Sequence, residues 1–109
     1  MKLALAAIVV LGALSAEVIQ SYIRRHAAAI HACYEKELRR NPTLRGRITV
    51  EWTIESTGLV SNAKVKSSTL ENQAVETCVV DRIKRIRFPA SDEAGSAIVR
   101  MPFDFTPPE

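Results

Sequence analysis

Cys33 and Cys78 are the residues best equipped for covalent chemistry, and a bond between them would close a loop of 45 residue steps. In the chain-entropy model such a staple stabilises the fold by restricting the unfolded chain. The other reading is two small buried hydrophobes in a reducing compartment. The signal-like start of the chain favours the bond, because disulfides persist where the environment is oxidising. His26 precedes Cys33 by seven residues and so shares its side of a helix, which raises a metal site built from His26, Cys33 and Cys78. That site lacks a fourth ligand, since no C-x-x-C or H-x-x-x-H pairing is present. His31 falls about 140° around the helix from His26. Glu35 and Glu37 diverge on the same helix, so they do not form a general acid and base pair. The chain also lacks G-x-S-x-G, a glycine-rich phosphate loop and H-E-x-x-H. The expectation is a non-enzyme with no cofactor and no metal.

A chain of 109 residues makes one domain, with a core near the size at which a covalent staple helps. Its 47% hydrophobic and 25% charged residues are the proportions of a globular protein. The net charge of +3 favours anionic surfaces mildly. No block of five like charges occurs and no basic run is interleaved with aromatics, so nucleic acid is not the expected partner. Arg24, Arg25, Arg82, Lys84, Arg85 and Arg87 nevertheless supply an alternative, a basic domain that binds an anionic polymer or nucleic acid.

The element that must organise these residues is Gly46–Gly58, where Ile48, Val50, Trp52 and Ile54 alternate with Arg47, Thr49, Glu51, Thr53 and Glu55. That period makes a strand with one dry and one wet face. Ser56-Thr57-Gly58 turns it into a second strand over Leu59–Ser68. Before the hairpin, Ser15 caps a helix whose apolar stripe is Ile19, Ile23, Ala27, Ile30, Tyr34 and Leu38, and Asn41-Pro42 ends it. After it, a second helix over about Glu71 to Ile86 aligns Val75, Cys78, Val79, Ile83 and Ile86.

A last strand spans Ala97–Phe105, with Pro102 inside it. Proline cannot donate to a ladder, so this strand is expected at a sheet edge. Its Ile98, Val99, Arg100, Met101, Phe103 and Phe105 are then the candidate partner-binding residues. The competing reading is that Pro102 merely blunts the edge. The expected fold is α+β, a three-stranded antiparallel sheet of order 2-1-3 with two helices on one face, in the order helix-strand-strand-helix-strand. Residues 1–14 form an apolar segment, read either as an export signal or as an extra structural element. Residues 15–106 form the domain, and residues 107–109 a frayed tail.

Ile23-Arg-Arg-His26, Cys33-Tyr-Glu-Lys-Glu-Leu38, Pro42-Thr-Leu-Arg-Gly46, Ser67-Ser-Thr-Leu70, Cys78, Arg87-Phe-Pro89 and Met101-Pro-Phe103 occur in one order along the chain. In this the chain resembles the TonB C-terminal-like domain of the AgmX/PglI type, associated with gliding motility. Ile86 and Asp92-Glu-Ala-Gly-Ser96 depart from the family pattern, which has a larger apolar residue and a glycine-rich loop there. The resemblance implies two helices on a three-stranded sheet, a paired Cys33 and Cys78, and a periplasmic domain, exported or anchored to the inner membrane. It implies a cell-envelope protein partner, outer-membrane or periplasmic, gripped by strand addition in energy transduction, motility or transport machinery. A homodimer is the remaining structural alternative, and membrane association is expected only through the N-terminal segment.

Overall fold

The computed structural model describes residues 2–3, 8–12, 14–91 and 95–108. Its elements are β1 (Lys2–Leu3), β2 (Val9–Gly12), α1 (Ala16–Arg25), α2 (Ala27–Leu38), β3 (Gly46–Ile54), β4 (Val60–Ser68), α3 (Gln73–Lys84) and β5 (Ala97–Phe105). The alternation in β3 translates directly into burial: Ile48, Val50, Trp52 and Ile54 are all buried. Trp52 lies under the helices with its ring stacked against Phe88, centroids 6.4 Å apart.

The turn after β3 shows why glycine stands at position 58. Gly58 has φ +91°, and a Cβ there would collide with the carbonyl oxygen of Phe88. Phe88 in turn donates its N–H to Gly58 O at 3.0 Å, so the hairpin tip is pinned to the segment that follows α3.

Two expectations about the architecture are corrected. The sheet is wider than three strands: the order is β1-β5-β3-β4, and β2 also pairs with β5. β1 and β2 lie along the same edge of β5, so the sheet is four ribbons wide and antiparallel. The apolar run at the chain start had no period of its own, and residues 2–3 and 9–12 of it take the strand conformation because β5 offers them a ladder. The single helix expected before the hairpin is also two helices, making three among the described residues. It breaks at His26, where the backbone leaves helical geometry (φ −106°, ψ 6°) although neither glycine nor proline is nearby.

The helices on either side of the break pack against different partners. On α1, Tyr22 meets Phe88. On α2, the Tyr34 hydroxyl donates to Leu44 O at 2.5 Å and its ring lies 5.1 Å from Phe105. The two halves serve opposite ends of the strands. Burial pushes the Tyr34 phenol above its ordinary range, partly countered by Arg45.

α3 begins at an Asn72 cap whose side-chain oxygen accepts from Val75 N at 3.0 Å. Its Val75, Val79 and Ile83 share one core with Ile19, Ile23, Ile30 and Tyr34 from the other helices and with the inner face of the sheet. Cys33 and Cys78 are bonded, with Cα atoms 5.6 Å apart, so α2 and α3 are tied side by side.

Candidate functional site

β5 does not lie at the rim. β3 pairs along its whole length, from Gly46 opposite Phe105 to Ile54 opposite Ala97. On the other side, β2 sets Val9, Val10, Leu11 and Gly12 opposite Arg100, Val99, Ile98 and Ala97. β1 sets Lys2 and Leu3 opposite Asp104 and Phe103. The expectation that Ala97–Phe105 is an open edge strand is thus overturned by the chain's own N-terminal segment. Pro102 is buried and falls between the two blocks of pairing, where its missing N–H interrupts no described pair on that side.

The six candidate residues divide by face. Val99, Met101, Phe103 and Phe105 point under the helices and are buried, so their side chains belong to the core. Ile98 and Arg100 point to the outer face. Arg100 is committed there: its Nη2 donates to Glu51 Oε2 at 2.7 Å and its Nε to the same oxygen at 3.2 Å. Lys64 Nζ stands 3.9 Å from the other oxygen of Glu51. The hydrogen bond from Arg100 holds the Glu51 carboxyl below its usual range, against the opposing effect of its partial burial. Beside them Arg47 grips Asp104 with two bonds, 2.6 and 3.0 Å, which raises the Arg47 guanidinium still further.

What the sequence reading passed over is an apolar strip next to this ion-pair array. Val9, Leu11 and Ile98 are 49%, 65% and 44% exposed. Leu11 lies directly opposite Ile98, and opposite residues of an antiparallel pair share a face. On the inner side of the same ribbon Ile8 and Val10 are partly buried against the core. The signal that would have found them is the alternation Ile8-Val9-Val10-Leu11-Gly12 in two-faced burial, hidden because every residue but the last is a large apolar one.

The two rims of the sheet are unlike. β4 carries register shifts opposite Thr49/Val50 and Glu51/Thr53. Lys66 is the unpaired residue at the first, and Asn62 with φ 53° sits at the second. Bulges and lysines are features that discourage a further strand from adding to an edge.

The remaining chemistry-bearing residues lie elsewhere. Cys78 lines an open groove on α3 with Gln73, Thr77, Asp81, Arg82 and Arg85. Arg25 lies over the Tyr22 ring, 4.5 Å from its centroid. The sulfurs needed for a His26 metal site are consumed by the disulfide, and among the described residues no three His, Cys, Asp or Glu side chains converge on a common point. No helix among the described residues is long and apolar enough to cross a membrane.

No family model matches the sequence, and no curated protein matches it significantly. Comparison of structures does find a likeness. The C-terminal domain of TonB from Helicobacter pylori, known from an NMR solution structure, aligns over 88% of this chain and 86% of that one with a TM-score of 0.62. The sequences are 22% identical over that match, so the likeness is one of architecture. The chain has the fold of a TonB C-terminal domain.

Proposed function

We propose that the chain is a periplasmic, non-enzymatic protein-interaction module of TonB-like type, which holds an extended segment of a cell-envelope partner as an added strand along the outer edge of β5, in the place β2 takes in the free chain. The observation that carries this reading is that this edge takes a strand already: β1 and β2 lie along it in antiparallel register. An edge that pairs with one apolar segment presents the same row of N–H and C=O groups to another of similar shape. The main chain supplies affinity, and side chains alternating between the core side and the Ile98–Arg100 side supply selectivity. The bulged, lysine-bearing β4 rim is the poorer acceptor. Within this fold, the short motifs from Ile23-Arg-Arg-His26 to Met101-Pro-Phe103 favour the AgmX/PglI type, with motility or transport machinery as the setting.

The test places a photo-reactive residue at Ile98 and, separately, at Asn62 on β4 in the exported chain. One envelope protein is expected to crosslink from position 98 and not from position 62. The purified pair is expected to keep its affinity as salt rises, giving a log–log slope near zero. Equal crosslinking from both rims refutes the reading. A steep salt slope refutes it too, and selects instead an anionic polymer bound through Arg24, Arg25, Arg82, Lys84, Arg85 and Arg87.

A further inference from the structure

Resting on that strand-addition reading, we infer that residues 8–12 are a built-in occupant of the docking edge, and that a partner must displace them with an apolar antiparallel strand bearing glycine opposite Ala97. Three observations carry this.

First, the described core does not draw on the occupant. Among the described residues, every buried hydrophobic one lies between Ile19 and Phe105, whereas Ile8 and Val10 are only partly buried against that core. Removing β2 from β5 therefore uncovers an edge without dismantling the domain.

Second, the occupant shows what the edge accepts. Val10, opposite Val99, turns inward, and Val9 and Leu11 turn outward beside Arg100 and Ile98. A strand with a charge at the Val10 position would bury it against the core, while the outer positions tolerate wider chemistry.

Third, the end of the pairing is sterically selective. Gly12 has φ +128°, and a Cβ there would stand 2.8 Å from the Ala97 Cα and run into the Ser96 carbonyl oxygen. Those obstacles are backbone atoms, so they do not swing aside as a flexible side chain would. A strand that leaves the edge with this same backbone turn meets the same wall, and glycine is the residue that passes it.

The probe is a synthetic peptide carrying Ile8-Val9-Val10-Leu11-Gly12 between solubilising lysines, titrated into the full, isotope-labelled chain while the amide shifts of residues 97–105 are followed. A chain locked by Leu11→Cys with Ile98→Cys, opposite residues at disulfide distance in an antiparallel pair, is expected to bind no peptide. The single Leu11→Cys chain is the control and is expected to bind. A peptide with valine in place of the glycine is expected to bind the control about tenfold more weakly, equivalent to ~1.4 kcal/mol. The same Gly12→Val change in the full chain weakens the occupant and is expected to tighten peptide binding about tenfold.

Binding to the locked chain equal to that of the control overturns the competition. Equal binding of the glycine and valine peptides overturns the glycine requirement and leaves strand addition standing. Failure of every unlocked chain to bind any peptide at residues 97–105 sinks strand addition itself, and this inference with it.

Discussion

Breaking the Cys33–Cys78 bond tests how much of the stability comes from restricting the unfolded chain. The bond spans 45 residues of sequence. In the chain-entropy model a loop of that length removes ~4 kcal/mol of freedom from the unfolded ensemble at room temperature. A domain of this size has about 5–15 kcal/mol in total, so the reduced protein is expected to stay folded with a much smaller margin. With a urea dependence of ~1.5 kcal/mol per M, the midpoint falls by ~2.7 M. The assay is urea unfolding followed by Trp52 fluorescence, oxidised against reduced, with a Cys33→Ala, Cys78→Ala chain as a second reference. The reduced natural chain isolates the covalent term, because both thiols keep their places between α2 and α3. The alanine chain adds the packing lost at Cys33, which is buried, so its midpoint is expected to be lower still. Midpoints of oxidised and reduced protein within about 0.5 M of each other would refute the reasoning, because the unfolded chain would then gain little freedom from the cut.

Tyr34→Phe removes the buried donor to Leu44 O while keeping the ring against Phe105. It is expected to cost about 1–2 kcal/mol by leaving that carbonyl unpaired, a fall of several degrees in a thermal melt; an unchanged Tm refutes it. For pH, the sign follows from Glu51. Its carboxyl is held below the ordinary value of 4.5 by Arg100, so its stabilising contribution is present above that value and disappears as the pH falls through the lower folded value. Arg100→Gln is expected to bring Glu51 back toward its ordinary range in an NMR titration and to flatten the acid side of the stability profile. An identical profile in the two proteins would show that the Arg100 contact does not set it.

Local patterns were the legible part of this chain. The two-residue alternation around Trp52, the proline after Asn41 and the apolar stripe of Val75, Val79 and Ile83 each follow from sterics and burial within a few neighbouring residues, and each is recognisable in the fold. Where the structure departs, the reason lies between residues far apart in sequence. Nothing near His26 in the sequence breaks a helix; the helices on either side of it meet partners distant in sequence, Tyr22 reaching Phe88 while Tyr34 reaches Leu44 and Phe105. Only the signal-like start of the chain and the resemblance favour the bridge over two small hydrophobes; what makes the bond is α2 and α3 lying side by side.

The docking edge shows the same division. Composition and periodicity made Ala97–Phe105 a strand, and Pro102 pointed to a sheet edge, where the structure does not put it. Whether it is a rim depends on Val9 meeting Arg100, nearly the whole chain away. An unbroken apolar run such as the one at the chain start carries no period that separates a strand from a helix or an export signal. The ladder offered by β5 sets the conformation of residues 2–3 and 9–12, because hydrogen-bond pairing between distant segments exists only once the fold brings them together.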